Sequence, residues 1–199
     1  MAASWFTRET FAALDVDVGL KNGGGIRDSI LGPNIIRLTI QAALAFNNQF
    51  AVLEMTGGQL IAAMENAVSR LPALDGRFPQ IAGILLEYDA SQPGLRGLPS
   101  VSTPSRVKTL VITRSDGSVD TLVANFAAQG DLSRTFVMAT NNFLSTGGDG
   151  YAAFAAAINL QTTTTGEQAI LEQYIQQPLA GNVDLPEPLA DPRVVRLDD

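Results

Sequence analysis

The chain has 199 residues, with 13 Lys and Arg against 20 Asp and Glu, and it contains neither histidine nor cysteine. Without histidine it cannot form a Ser-His-Asp triad or a His-ligated metal site, and without cysteine it has no thiolate nucleophile and no disulfide. The formal net charge of −7 disfavours binding to long nucleic acids or anionic membranes, which needs basic surfaces. A small anionic ligand is compatible with this charge, because a few arginines can reverse its sign inside one cleft.

Hydrophobic residues make up 46% of the chain and charged residues 17%, a composition typical of globular proteins. A chain of this length buries roughly 70% of its unfolded surface, which is enough for one substantial core. We therefore expect one domain over residues 1–177, followed by a Pro-rich extended tail over residues 178–199 that wraps the surface or stays mobile. The N-terminus lacks the pattern of a signal peptide, and no stretch approaches the ~18 apolar residues of a membrane span.

The N-terminal part of the chain predicts a helix and then a strand. Residues 4–14 have apolar side chains at helical spacing, and residues 15–21 alternate apolar and polar positions as a half-buried strand does. The strand runs into Asn22 and the three glycines Gly23–Gly25. Three successive glycines favour positive φ angles or a close approach of the backbone to a ligand.

Two helices and a strand follow. Thr39 is predicted to cap a short helix that ends at Ala45, and residues 50–55 form the next predicted strand. Thr56 and Gln59 then have the spacing of a capping box, which predicts a helix that ends at about Arg70.

The second half of the chain is richer in strand patterns. Strands are predicted over residues 84–88, 107–113, 119–123 and 136–140, and helices over an Ala-rich stretch after Tyr151 to about Ile158 and over residues 166–177. The pair Asp116-Gly117 supplies the positive φ of a tight turn, so two of these strands form an antiparallel hairpin. Early crossovers and a late hairpin predict an α/β domain with a mixed β-sheet and flanking helices.

Two glycine-rich loops each follow a predicted strand: residues 22–27 (NGGGIR) and residues 146–151 (TGGDGY). Loops at strand ends form the crevice in which α/β domains usually bind ligands. Arg27 can grip a carboxylate or phosphate, and Asp149 can accept hydrogen bonds from two neighbouring hydroxyls. Tight turns, and an internal ion pair between Arg27 and Asp149, are the alternative interpretation. Neither loop matches a known phosphate-binding fingerprint.

Aromatic residues are sparse, at 7% of the chain, so their positions are informative. Phe143 precedes the second glycine loop, and Phe78 lies in the irregular segment Arg77-Phe78-Pro79-Gln80. Two loop phenylalanines that face a common cleft would hold a planar ring between them. Anchoring of either ring into the core is the alternative.

Four motifs occur together in this chain: VGLKNGGGIRDSI at residues 18–30, LAFNNQFAVLEMTGGQL at 44–60, GRFPQIAGILLEYD at 76–89 and ATNNFLSTGGDGY at 139–151. In this order they resemble the C-terminal, substrate-recognition domain of the 5′-nucleotidases and the related UDP-sugar hydrolases and cyclic-nucleotide phosphodiesterases. The motifs span about two thirds of the chain, and the first and last are specific. The resemblance implies the fold of that domain and a role in nucleotide catabolism.

The resemblance also implies a substrate site. Phe78 and Phe143 would stack on the two faces of the base, Asp149 would hold the ribose hydroxyls, and Arg27 would contact the sugar or phosphate. The full implied set is Asn22, Gly24, Gly25, Arg27, Asn47, Phe78, Gly83, Asn142, Phe143, Gly148 and Asp149. The resemblance also implies an asparagine and a further arginine near residues 44–70. Either Asn47 or Asn48 would supply the asparagine, but Thr56 and Arg70 in this segment leave the further arginine unassigned.

In the family that this chain resembles, hydrolysis belongs to a separate N-terminal metallophosphoesterase domain with two divalent metal ions. The resemblance therefore implies that this chain is inactive alone, that it binds a nucleoside or nucleoside monophosphate, and that its parent protein is periplasmic or extracellular. A structural or interaction module that has lost the ligand site is one alternative. A carboxylate-based hydrolase that uses acids such as Asp15, Asp17, Glu54 and Asp149 is another.

Overall fold

The computed structural model describes residues 14–30, 34–177, 179–183 and 193–198. The helix predicted over residues 4–14 therefore lies outside the described residues, except for Leu14. The strands are β1 Val18–Asn22, β2 Gln49–Thr56, β3 Pro79–Ala82, β4 Ile84–Tyr88, β5 Val107–Thr113, β6 Val119–Ala124, β7 Ala127–Ala128, β8 Thr135–Asn141, β9 Ile158–Gly166 and β10 Val194–Arg196. The helices are α1 Arg37–Ala43, α2 Gly57–Val68, α3 Asn142–Ser145, α4 Ala152–Ala155 and α5 Glu167–Gln176.

The strands form two five-stranded mixed sheets, in the orders β3-β1-β8-β2-β9 and β10-β4-β5-β6-β7. In the first sheet β1 is parallel to β8, and the other pairings are antiparallel. In the second sheet β5 and β6 form the hairpin that Asp116-Gly117 predicts, and β10 adds a parallel strand beside β4. The predicted α/β class with flanking helices and a late antiparallel hairpin is confirmed.

The chain passes from the first sheet to the second at Gly83, between β3 and β4. Gly83 has a φ of 71°, and a Cβ atom there would lie 2.5 Å from the carbonyl oxygen of Asp17. A side chain is thus excluded both by the left-handed backbone and by the neighbouring strand. Gly83 was expected in the substrate site, but its position is a corner between the two sheets.

Helix α2 is the centre of the main hydrophobic core. All of its residues except Gln59 are buried, and they pack against apolar side chains from both sheets, such as Leu53 of β2 and Leu110 of β5. Phe50 and Val52 of β2 join a second cluster with Ile40 of α1 and Ile170 of α5. The first sheet is therefore covered on both faces, which explains the nearly continuous apolar sequence of β2.

Several elements differ from the sequence-based expectation. Helix α1 begins at Arg37 with Ile36 as its N-cap, and the Thr39 hydroxyl instead donates to the Ile36 carbonyl at 2.8 Å. The Ala-rich helix ends at Ala155, and β3 and β9 are strands that no pattern predicted. Both are edge strands of the first sheet, so pairing with a neighbour decides their conformation. Among the described residues, no helix has the length and apolarity to cross a bilayer.

The capping box at the start of α2 is present as predicted. The Gln59 backbone N–H donates to Thr56 Oγ1 at 3.3 Å, and the Thr56 N–H donates to Gln59 Oε1 at 2.8 Å. We predict that Thr56→Ala lowers the free energy of unfolding by about 1 kcal/mol, because an N-terminal N–H of the helix loses its acceptor. Urea denaturation measures this loss. Thr39→Ala, which removes a hydroxyl that caps nothing, is the matched control, and an equal loss in both variants would contradict the prediction.

Glu65 of α2 ties the helix to the second sheet. Its carboxylate accepts backbone N–H groups from Ser105, Arg106 and Val107 at 2.6, 3.2 and 2.9 Å. Burial raises the pKa of this carboxyl above its usual 4.5.

We predict that Glu65→Gln lowers the free energy of unfolding by about 1–3 kcal/mol, since the amide NH₂ faces a backbone donor. Because the raised pKa makes the folded state hold its proton longer, the wild type loses stability relative to this variant as the pH rises from 4.5. Denaturation across a pH series measures both effects. The exposed pair of Arg37 with Glu172 provides the control. We expect Glu172→Gln to lower the free energy of unfolding by less than about 1 kcal/mol. An equal loss in Glu65→Gln would be evidence against a stabilising role for the Glu65 hydrogen bonds.

Candidate functional site

The two glycine-rich loops lie side by side because β1 and β8 are parallel neighbours, so their carboxyl ends share one edge of the sheet. Each loop forms a short 3-10 turn, Gly23–Gly25 after β1 and Gly148–Gly150 after β8 and α3. Asn22, at the end of β1, donates from Nδ2 to Asp149 Oδ2 at 2.6 Å. Asn22 thus links the two loops directly. This contact replaces the Arg27–Asp149 ion pair that was the alternative interpretation of these loops.

A third segment, the turn over residues 75–78, docks against the first glycine loop. The backbone N–H groups of Gly23 and Gly24 donate to the carbonyls of Phe78 and Gly76 at 2.7 and 2.8 Å. A Cβ atom on Gly24 would lie 2.8 Å from the Gly76 Cα atom. Only glycine at position 24 allows the two backbones to approach so closely.

The docked turn, the two loops and the segment that precedes β2 line a cleft of about 330 Å³. Its lining residues are Asn22, Gly24, Gly25, Arg27, Phe46, Asn48, Gly76, Phe143 and Asp149. Two aromatic rings, a cation, a carboxylate and two amide side chains thus face one space. A mostly apolar cleft with a few convergent polar groups is the usual form of a small-molecule site.

Phe46 and Phe143 are the aromatic residues of the cleft. Phe46 is 62% exposed and Phe143 is 44% exposed, although both are large and apolar. The Arg27 guanidinium carbon lies 5.7 Å from the centre of the Phe46 ring, within the range of a cation–π contact. A Cβ atom on Gly148 would lie 2.5 Å from the Phe143 ring, so Gly148 supports this ring from beneath. Rings that stay exposed in this way are available to a ligand.

Arg27 lies close to the backbone of its own loop. Its Nη1 atom donates to the Gly24 carbonyl at 3.0 Å, and its backbone N–H donates to Ala43 at the end of α1. Among the described residues that line the cleft, Arg27 is the one cation. It supplies positive charge to this cleft in a chain whose net charge is −7.

Six residues of the expected site line the cleft: Asn22, Gly24, Gly25, Arg27, Phe143 and Asp149. Asn142 and Asn47 lie beside it and make structural contacts. Asn142 Oδ1 accepts the Gln49 N–H at 3.1 Å, and Asn47 Oδ1 accepts the Gln168 N–H at 3.2 Å. Of the two asparagines that the sequence left open, Asn48 lines the cleft.

Phe78, which was expected to stack on the base, lies outside the cleft. Its side chain packs against the hydrophobic core and lines a separate hollow of about 470 Å³, together with Arg70, Leu74 and Tyr88. Only Gly76 lines both spaces. The backbone carbonyl of Phe78 accepts the Gly23 N–H, but Phe78 does not line the cleft that contains Phe143.

Sequence reasoning missed Phe46. This residue lies between α1 and β2, outside any apolar period, and directly precedes Asn47-Asn48. A large apolar residue in an otherwise polar loop is a signal that could have identified it. The second arginine of the family stays unassigned: Thr56 caps α2, and Arg70 pairs with Asp75 beside the separate hollow.

A buried ion pair lies beneath the first glycine loop. The Lys21 ammonium donates to Glu167 Oε2, and both side chains are almost fully excluded from solvent. Burial lowers the pKa of Lys21 and raises that of Glu167. A Cβ atom on Gly25 would lie 3.0 Å from Lys21 Nζ, so this pair forms part of the support for the loop.

Side chains that could bind a metal ion do not cluster in the described part of the chain. Within residues 14–30, 34–177, 179–183 and 193–198, no group of three or more Asp or Glu side chains could hold a metal ion. The carboxylates in the described residues therefore do not fit the two-metal centre of a phosphoesterase, which requires several clustered ligands.

Comparisons with known proteins agree with this architecture. The model of the 5′-nucleotidase C-terminal domain family matches residues 2–156. The chain is 31% identical over 142 residues to the trifunctional nucleotide phosphoesterase protein YfkN of Bacillus subtilis, covering 70% of this chain and 8% of the relative. It is 30% identical over 167 residues to a snake venom 5′-nucleotidase of Macrovipera lebetinus, covering 81% of this chain and 37% of the relative.

Among solved structures, the 5′-nucleotidase precursor of Thermus thermophilus superposes with a TM-score of 0.78 and 26% identity, over 96% of this chain and 34% of that protein. The NAD nucleotidase of Haemophilus influenzae shares the fold, with a TM-score of 0.63 and 19% identity over 92% of this chain and 30% of that protein. The chain thus spans little more than a third, at most, of each of these relatives. The family model covers most of its length, and the chain belongs to the 5′-nucleotidase C-terminal domain family.

Proposed function

We propose that this domain recognises the nucleoside part of a nucleotide substrate, with the base held between Phe46 and Phe143. The observation that carries the proposal is the shared cleft, in which these two exposed rings lie with Arg27 and Asp149. A planar base is the ligand that uses two aromatic rings and a carboxylate together, because the rings bind its faces and the carboxylate binds the attached sugar.

Asp149 is the ribose-binding residue of this proposal. Its Oδ2 atom accepts the Asn22 amide at 2.6 Å, which orients the carboxylate and leaves further lone pairs for the 2′- and 3′-hydroxyls. Arg27, at the rim of the cleft, contacts the sugar or the phosphate. The strength of such a site is adequate for substrate recognition. Two stacking contacts contribute roughly 2–6 kcal/mol, and hydrogen bonds to ribose about 1 kcal/mol each, which corresponds to millimolar to micromolar binding.

Hydrolysis, in this proposal, belongs to a metallophosphoesterase domain in the remaining part of a longer parent protein. The matched segment covers 8%, 37% and 34% of these relatives, so each is roughly three to twelve times as long as the segment that matches, which supports this division. The two divalent metal ions would be held there, where they would activate water for attack on phosphorus. A periplasmic or extracellular location of the parent protein is part of the same proposal, and the venom relatives support it.

Substitutions of the three phenylalanines test the base site. We predict that Phe46→Leu and Phe143→Leu each weaken adenosine binding roughly 5- to 100-fold, because each removes one stacking surface. Isothermal titration calorimetry measures the affinity. Phe78→Leu is the matched control: it lowers stability, since Phe78 packs on the core, and leaves the affinity unchanged. Weaker adenosine binding in Phe78→Leu, with no change in Phe46→Leu, would contradict this proposal and favour stacking of the base between Phe78 and Phe143.

A phosphate-release assay tests the proposal that this chain does not catalyse hydrolysis by itself. We predict that this chain, incubated with AMP and Mn²⁺, releases no phosphate above the buffer rate, since it has no histidine and no clustered ligands in its described residues. A colorimetric phosphate assay measures the release. Adenosine binding by the same sample is unchanged by EDTA. Release at an enzyme-like rate would contradict the proposal and support catalysis by carboxylates of this chain.

A further inference from the structure

Asp149 has a backbone conformation that requires support. Its φ and ψ angles are 54° and 22°, in the left-handed region, and it lies between Gly148 and Gly150. A non-glycine residue in this region costs about 1 kcal/mol or more, so it persists only where neighbouring groups hold it. Asn22 holds the carboxylate of Asp149, but this contact does not determine the path of the backbone.

Asn66 holds that backbone. This residue of α2 is 2% exposed, and its Nδ2 atom donates to the Asp149 main-chain carbonyl at 3.2 Å. Its Oδ1 atom accepts Arg77 Nη1 at 3.1 Å. Because a guanidinium can only donate, the amide oxygen must face Arg77 and the amide NH₂ must face Asp149. Arg77 therefore determines which way the Asn66 amide points.

Arg77 is itself held firmly. Its side chain is 14% exposed, its Nε atom donates to Asp75 Oδ1 at 2.9 Å, and its Nη1 atom also lies 3.3 Å from Ser69 Oγ. A second tie joins it to the same glycine turn, since the buried Tyr151 hydroxyl donates to the Arg77 carbonyl at 2.6 Å. Arg77 thus contacts the turn that carries Asp149 directly, through Tyr151, and indirectly, through Asn66.

We propose that Asn66 and Arg77 are positioning residues that set the orientation of Asp149 toward the ribose. Neither residue lines the cleft, so their contribution acts through Asp149. The proposal rests on the proposed function, in which Asp149 binds the ribose hydroxyls. It predicts that disturbing Asn66 weakens sugar recognition and leaves base stacking unchanged.

The isosteric variant Asn66→Asp tests this inference. It keeps the acceptor for Arg77 and replaces the donor to the Asp149 carbonyl with an oxygen that repels it. Adenosine and 2′,3′-dideoxyadenosine are the probes, because both are uncharged and only the first has the two hydroxyls. We expect Asn66→Asp to weaken adenosine binding about five- to tenfold, the effect of one or two hydrogen bonds, with no change for the dideoxy compound. The Asp149 Cα chemical shift, which reports its φ and ψ angles, should move in the same variant without ligand.

Asn159→Asp adds the same charge on the exposed strand β9 and is the control, with no expected change in either affinity. If Asn66→Asp does not fold, Arg77→Lys replaces it, since lysine keeps the charge and loses the directed bond to Asn66. An equal weakening of both ligands, or an unchanged ratio of their affinities, would overturn the inference while leaving the proposed function intact. A wild type that binds neither nucleoside would contradict the proposed function, and an unmoved Asp149 Cα shift in the variant would then overturn the positioning role as well.

Discussion

The contact between the backbones of Gly24 and Gly76 is the constraint on which the site depends. A single added Cβ atom at position 24 would lie 2.8 Å from the opposing Cα atom, so the turn over residues 75–78 docks this closely only because residue 24 is glycine. A Cβ atom on Gly76 would make a tight contact of 3.2 Å with the Gly24 Cα atom. That docked turn accepts the N–H groups of the first glycine loop and, through Arg77, holds the second. The cleft therefore depends on segments that are distant in sequence meeting there: the two glycine loops, the docked turn, and residues 46–48 between α1 and β2.

The polar groups near this contact differ in how deeply they are buried. The Lys21–Glu167 pair is buried below the first loop, whereas Asn22 joins the two loops and Arg27 remains exposed at the rim. A buried ion pair adds little net stability, because desolvation offsets most of its attraction. Removing either partner would be costly, because it would leave an uncompensated charge buried beneath the loop. Buried support of this kind would suit the nucleoside site proposed above.

Most of the secondary structure could be predicted because it depends on interactions between residues that are close in sequence. The capping box of Thr56 and Gln59 and the Asp116-Gly117 hairpin form as the sequence indicates, since each depends on residues within a few positions. Strands β3 and β9 could not be predicted. Both are edge strands that pair on one side only. β9 is mostly exposed, and β3 has four residues and begins with a proline, so neither carries a recognisable strand pattern. Thr39 looks like a cap, but helix α1 begins two residues before it.

The sequence by itself determined that catalysis by imidazole or thiolate is absent, and it identified the two glycine loops with Arg27, Phe143 and Asp149. These residues follow strands in the sequence, and strand ends meet at a predictable edge of a sheet. Only the tertiary structure decided that Phe46, and not Phe78, shares the cleft with Phe143. Both phenylalanines occupy loops, and the direction of a loop side chain depends on how the loop packs, which no local pattern encodes.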